Sequence, residues 1–371
     1  MKILHVINNL GSGGAEKFVE QFVPLMNEKE NVQADVLLLT DVGNVFDEHL
    51  KDNGVNVTVV PLRNPKNPLN VFYLKRHIVQ GNYDVVHAHL FPTLYWVSMA
   101  SRLIRRGKPL FVFTEHSTHN RRRENLIFRP LEKFVYSGYD VIISVSKEVH
   151  ENLTCWLGKE NDHRFIVIPN GIDVMHFREA KSYKKEELSP TLTEQTKLLC
   201  MIGRFSEAKD QQTVIRSMEL VPEHVHLLLV GEGSLKGENQ ELAKKLNLQH
   251  RVHFLGFRRD IARILKTSDV IILSSHWEGL PLAALEGMAA VRPVVASDVP
   301  GLADIVRNYG ELFCRGDHHA LARIINRLLS NTDEYHYVAH RCAERALCFD
   351  ILATVDAYLE AYESIMCHNS R

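Results

Sequence analysis

The chain has 371 residues, 45% of them hydrophobic and 24% charged, with a formal net charge of -1 and a sequence pI of about 7.1. That length exceeds one comfortable core and suits two α/β domains of roughly 150 to 200 residues each. The composition excludes a largely disordered chain, and the near-zero charge excludes a global pull toward nucleic acid. Cys155, Cys200, Cys314, Cys342, Cys348 and Cys367 lie far apart, with no CxxC pair, and read as reduced thiols. The start, Met1 to Ile7, is too short an apolar run for a signal peptide, and no stretch approaches the ~18 apolar residues of a membrane span, so the expectation is a cytoplasmic protein.

Strand-like apolar runs open the chain at Ile3–Ile7, Ala34–Leu39, Val55–Val60, Val85–Ala88, Leu110–Thr114 and Val141–Val145, alternating with amphipathic stretches. This is the pattern of βαβ units on a parallel sheet. The first run leads into Gly11-Ser12-Gly13-Gly14-Ala15-Glu16 and a helical Phe18–Met26, a glycine-rich turn whose bare amides favour an anion. It also reads as a plain tight turn. Glu16 breaks the dinucleotide fingerprint, which requires glycine or alanine there. His87-Ala88-His89 and Glu115-His116-Ser117 close two later runs, where the structural reading of the histidines outweighs a weakly suggested metal site. Basic clusters at Arg102, Arg105, Arg106 and Lys108, and at Arg121, Arg122 and Arg123, suggest contact with anionic membrane or simply a solvated face.

A polar segment from Arg178 to Pro190 reads as a linker, after which a second series begins: Lys197–Ile202, His226–Val230, Val252–Leu255, Val270–Leu273 and Pro293–Ala296. Ligands of open α/β sheets bind beyond the carboxyl ends of strands. Arg204 and Lys209 follow the first of these runs, a fork of donors and a point charge suited to a diphosphate. After Val270–Leu273 comes Glu278-Gly279-Leu280-Pro281-Leu282, with Pro281 suited to a first helical turn whose amides near Leu282 and Ala283 could hold a phosphate. Glu286, ~7 Å along that helix, is placed for ribose hydroxyls, although two glutamates eight apart also fit a solvated helix face. No Asp-x-Asp occurs, which leaves cations and helix dipoles to carry a diphosphate without a metal.

Taken in order, Gly13-Gly14-Ala15-Glu16, Glu115-His116-Ser117, Ser144-Val145-Ser146, Ile168-Pro169-Asn170-Gly171-Ile172-Asp173, Gly203-Arg204-Phe205 with Lys209, Val230-Gly231-Glu232-Gly233, Phe254-Leu255-Gly256-Phe257 and above all Glu278 to Glu286 in E-x7-E spacing resemble the retaining GT-B glycosyltransferases of family 4. The resemblance implies an α/β GT-B fold, two Rossmann-like domains facing across an interdomain cleft. The expected divisions are an acceptor domain at 1–178, a donor domain at 195–348, and a terminal helix at 349–371 returning to the first domain. It implies Arg204 and Lys209 on the donor diphosphate, Glu286 on the ribose, and Glu278 with Gly279, Leu280, Pro281 and Leu282 on the sugar and its phosphate. Gly14 would approach the phosphate, and His116 the reacting sugar. The implied reaction moves a sugar from a nucleoside diphosphate, UDP or GDP, to a hydroxyl of a sugar or lipid-linked acceptor, with no cofactor required. Pro300 and Asp304 depart from the family's pattern in the loop Asp298–Val306. A sugar-nucleotide epimerase, a non-catalytic nucleotide-sugar sensor and an NAD-dependent oxidoreductase are the rival readings.

Overall fold

The computed structural model of the chain describes residues 1–105, 107–117 and 121–369, with the backbone alone at residues 121, 124, 368 and 369. Arg106 and the Arg121 side chain, both singled out above, lie outside the described residues. The chain divides into two compact units, Met1–Gly171 with Ile351–Arg371, and Ile172–Asp350.

The first unit is built on β1 (Lys2–Ile7), β2 (Gln33–Leu38), β3 (Val57–Val59), β4 (Val85–His89), β5 (Leu110–Glu115), β6 (Val141–Ser144) and β7 (Phe165–Val167). Their spatial order is β3-β2-β1-β4-β5-β6-β7, every pairing parallel. β4 and β5 are buried at every residue and β1 at all but Lys2, which is what a sheet covered on both faces demands. The order reverses between β1 and β4, so the loops after those strands open the crevice where such folds bind ligands.

The second unit repeats the plan with β8 (Lys197–Ile202), β9 (Val225–Val230), β10 (Val252–Gly256), β11 (Val270–Leu273), β12 (Val294–Ser297) and β13 (Glu311–Phe313) in the order β10-β9-β8-β11-β12-β13. All of these pairings are parallel too. Here the order reverses between β8 and β11.

The boundary falls at Gly171, not at 178, and the segment from Arg178 to Pro190 is no free linker. Ile172, Val174 and Phe177 are buried in the second unit's core, with Tyr183 and Leu188 packed against it, so apolar burial holds this stretch to that unit. The terminal helix Ile351–Asn369 belongs to the first unit, giving its core Ile351, Val355, Tyr358, Leu359 and Tyr362. A Cβ on Gly171 would stand 2.5 Å from the Ile351 Cα, so only glycine lets the chain pass itself there. Among the described residues no helix is long and apolar enough to cross a membrane.

Candidate active site

In the second unit the loops after β8 and β11 meet. β8 runs into Gly203-Arg204-Phe205, held by backbone bonds from the β9 side: Gly203 N donates to Val230 O at 2.9 Å and Phe205 N to Glu232 O at 3.0 Å. Gly231, at φ 139°, lies so close that a Cβ would be 2.2 Å from the Gly203 carbonyl oxygen. This close approach fixes the path of Arg204, which is itself exposed and whose carbonyl accepts Gln211 Nε2 at 3.0 Å. Lys209 ends a short 3-10 turn, Glu207–Lys209, and its stem lies along Gly203, 3.4 Å from where a Cβ would be.

Lys209 Nζ donates to Glu278 Oε1 at 2.5 Å, and Ser275 Oγ donates to the same oxygen at 2.6 Å. Both charged side chains are largely covered, 24% and 11% exposed, so this pair is worth more than a surface ion pair. Three hydroxyls at the ends of β11 and β12 fasten the arrangement. Ser274 Oγ bonds the carbonyls of Lys209 and Asp210 at 3.0 and 2.7 Å, Ser275 holds Glu278, and Ser297 Oγ bonds the Ser275 carbonyl at 2.5 Å. Behind Glu278, Gly301 sits at φ +80° with its would-be Cβ 2.6 Å from the Glu278 carbonyl oxygen. The loop Asp298–Val306, whose departures from the family pattern obscured its purpose, thus supports the glutamate.

Gly279 and Leu280 lead from Glu278 into the helix Leu282–Ala289. Pro281 is its cap residue, not its first helical residue: ψ is 85°, and its carbonyl already accepts Ala284 N at 2.9 Å. Among the described residues no side chain caps this end, which points a partial positive charge outward beside the Lys209–Glu278 pair. Glu286 stands in the second turn and is 2% exposed, which removes the solvated-face reading of E-x7-E. Glu278 likewise faces Lys209 instead of standing open to solvent.

In the first unit, Gly14 is exposed at the start of the helix Gly14–Asn27, and a Cβ there would meet nothing within 4 Å. Gly13, its cap, is different: a Cβ would stand 2.3 Å from Glu16 Oε2. The protein's own carboxylate therefore folds back over this turn, at the place offered above to an outside anion. Glu115 is tied down by Tyr136 OH at 2.8 Å and by Arg123.

His116 is half-buried, and its Nε2 lies 3.1 Å from His89 Nδ1, whose other nitrogen lies 3.1 Å from His5 Nδ1. Burial pushes His116 down to about 4, against a raising pull from Glu115, and His5 down to about 3. Both are neutral at pH 7. His5, His87 and His89 bring nitrogens within 4.8 Å of one another, a spacing open to a metal ion. His87, however, commits both nitrogens to hydroxyls, Nδ1 to Tyr362 at 2.6 Å and Nε2 to Thr114 at 2.7 Å. The cluster is a hydrogen-bonded one in this structure.

Of the basic clusters, Arg105 and Lys108 stand exposed, while Arg102, Arg122 and Arg123 are drawn into contacts of the fold. Arg102 bonds Ser98 and the Phe134 carbonyl and stacks 4.2 Å over the Phe134 ring, while Arg122 and Arg123 pair with the buried Glu132 and with Glu115. They serve the fold's interior. What the surface presents nearby is apolar: Leu126 and Ile127 are 71% and 74% exposed, followed by Phe128, Leu131 and Phe134.

Two family models match, one for each unit. Glycosyl transferases group 1 covers residues 183–346, and Glycosyltransferase Family 4 covers residues 12–176. The chain belongs to the group 1, family 4 glycosyltransferases. It is 29% identical over 384 aligned positions to a UDP-Gal:alpha-D-GlcNAc-diphosphoundecaprenol alpha-1,3-galactosyltransferase of Escherichia coli, covering 98% of this chain and 96% of the other. A D-inositol 3-phosphate glycosyltransferase of Xylanimonas cellulosilytica is 28% identical, over 78% of this chain and 75% of its own. The GT-B fold is that of Anabaena HepE, solved with UDP and glucose, at TM-score 0.85 and 22% identity over 98% of this chain and all of that one.

Sequence reasoning about this glycosyltransferase missed the hydroxyls of Ser274, Ser275 and Ser297, which read as strand termini, and His5, which reads as one more position in an apolar run.

Proposed function

We propose that this glycosyltransferase takes a hexose from a UDP-sugar and joins it, with retention at the anomeric carbon, to a hydroxyl of a lipid-linked sugar in bacterial polysaccharide or glycolipid synthesis. The observation that carries the reading is the convergence of Gly203-Arg204, Lys209, Glu278 and the uncapped end of Leu282–Ala289 where the second sheet reverses. A diphosphate needs preorganised positive charge of this kind. HepE was solved with UDP and glucose, and the Escherichia coli relative's name specifies UDP-Gal and a diphosphoundecaprenol-linked acceptor, which supports the donor and acceptor classes.

In this reading Arg204 and Lys209 hold the diphosphate, the Gly279, Leu280 and Leu282 backbone beside Pro281 holds its sugar-side phosphate, and Glu286 takes the ribose hydroxyls. Glu278 and His116 are the candidate sugar contacts, and Gly14 a candidate contact of the donor phosphate. The bond from the anomeric carbon to the phosphate oxygen breaks with its electron pair going to the phosphate. The acceptor oxygen bonds on the same face, and its proton passes to the departing phosphate oxygen. No separate base is required.

A donor screen by thermal shift tests the reading. UDP-hexoses at 100 times their dissociation constant are expected to add about 2.7 kcal/mol of stability, and a suitable acceptor then releases UDP. Isomerisation without acceptor would indicate an epimerase, and binding without turnover a sensor.

The acceptor class gives the exposed Leu126, Ile127, Phe128, Leu131 and Phe134 a purpose as a face that rests on an anionic bilayer, with Lys133 exposed on the same helix, Arg129–Tyr136. This contact is mainly apolar, since Arg102, Arg122 and Arg123 are engaged within the fold. Sedimentation with anionic vesicles is expected to fall at least roughly tenfold in Ile127→Ser/Phe134→Ser, at about 0.8 kcal/mol per exposed CH₂ withdrawn from lipid, and to survive added salt. No binding by the parent chain would end the idea.

A further inference from the structure

We propose that the buried pair His5 and His89 sets the tautomer of His116, so that His116 carries its proton on Nδ1 and meets a sugar oxygen as a hydrogen-bond donor. The sugar contact rests on the functional reading above; the tautomer does not. The three rings form one chain, His5 Nδ1 to His89 Nε2 and His89 Nδ1 to His116 Nε2, each link 3.1 Å. A neutral imidazole has one N–H and one lone pair. His89 can therefore donate in only one direction, and both links hold only if all three rings point the same way.

Two polarities remain. In the first, His5 Nδ1–H donates to His89, His89 Nδ1–H donates to His116 Nε2, and His116 keeps its proton on Nδ1. In the second every proton is reversed, and His5 must carry its proton on Nε2. That atom is fully buried and has no hydrogen-bond partner among the described residues. An orphaned N–H in a dry interior is rarer and less tolerable than an orphaned lone pair. The ring nearest in T-shaped contact, Phe22, has its centroid 6.0 Å from that of His5 and offers at best a weak π acceptor. The inner end thus selects the first polarity. Burial keeps His5, His89 and His116 all in the neutral form that the argument requires.

His87 stands apart from the chain, stacked 4.2 Å from His89 with both nitrogens on Tyr362 and Thr114, so it cannot break the deadlock. His116 Nε2 being turned inward to His89, Nδ1 is the nitrogen left for a ligand. A protonated Nδ1 cannot remove a proton from an acceptor hydroxyl. It can only donate, which fits a reaction whose proton leaves on the phosphate oxygen. His5 and His89 are positioning residues, acting through His116.

The test is a long-range ¹H–¹⁵N correlation spectrum of the full chain labelled with ¹⁵N-histidine, with His116 assigned by its loss in His116→Gln. The expected result is a pyrrole-type Nδ1 and a pyridine-type Nε2 on His116, in at least roughly tenfold excess over the other tautomer. His5→Phe, which removes the inner donor, should bring a mixture of both forms and lower kcat with little change in donor KM. A parent spectrum dominated by Nε2–H, or an unchanged tautomer in folded His5→Phe, overturns the proposal. So does one transition-metal ion per purified chain. If His5→Phe fails to fold, the parent spectrum alone decides. Absence of glycosyl transfer with every donor would remove the functional reading while leaving the tautomer result standing.

Discussion

Lys209→Ala is expected to lower kcat for glycosyl transfer by about 10²- to 10³-fold, the usual effect of deleting one preorganised donor to a developing negative charge. The ammonium is already held in place: its stem lies along Gly203, Ser274 bonds its carbonyl, and Nζ is anchored on Glu278. Little reorganisation is left when negative charge grows on the leaving diphosphate. The substitution has a second consequence. Glu278, 11% exposed, would keep its Ser275 bond at 2.6 Å and would confront the diphosphate with a carboxylate no longer neutralised by Lys209. Donor KM should therefore rise as well.

A double-mutant cycle separates the two effects. Lys209→Ala/Glu278→Gln should bind donor more tightly than Lys209→Ala alone, with a coupling of roughly 0.5 to 3 kcal/mol between the sites. Initial rates over a matrix of donor and acceptor concentrations check both parts. Additive losses would mean that the ion pair does not bear on the donor, and an unchanged kcat in Lys209→Ala would remove this lysine from the leaving-group site.

The strands and their carboxyl-end loops were legible because parallel strands covered on both faces are written as unbroken apolar runs, and most boundaries fall within a residue or two. The two strands that escaped, β7 and β13, are edge strands of three residues each, Phe165–Val167 and Glu311–Phe313, too short to show a period. The division at Gly171 escaped because the polar run after Arg178 looks like a linker in one dimension. Phe177 and Val174 before it disappear into the second core, which only packing reveals.

Arg204, Lys209 and Glu278 stood out as candidates because charge just beyond an apolar run is conspicuous, and Glu286 because it follows Glu278 in E-x7-E spacing. What sequence could not convey was pairing. That Lys209 would rest on Glu278, that Arg102, Arg122 and Arg123 would turn inward, and that Glu16 would cover Gly13 all depend on side-chain direction, which spacing along the chain does not carry. The histidine chain is hidden for a similar reason, since it joins side chains from β1, β4 and the end of β5 through registers that pair His5 with His87.

Gly301→Ala is expected to cost about 2 to 4 kcal/mol of stability in the second unit and to raise donor KM at least roughly tenfold. Two independent penalties meet at this residue. Its φ of +80° is strained for any side chain, and the new Cβ would lie 2.6 Å from the Glu278 carbonyl oxygen and 3.2 Å from that of Gly279. Those neighbours are backbone, so relief requires moving the loop that carries Glu278 and leads through Leu280 and Pro281 into the helix Leu282–Ala289. Such a shift would draw Glu278 from Lys209 and turn the helix end away from the phosphate at once. Gly237→Ala is the control. It lies in the helix Lys236–Lys245 with nothing within 4 Å of its would-be Cβ, and should stabilise the chain by about 0.4 to 1 kcal/mol without affecting the donor. Urea midpoints with donor titrations on both variants decide the matter. If Gly301→Ala loses stability yet binds donor normally, the loop after β12 supports the fold but not the site.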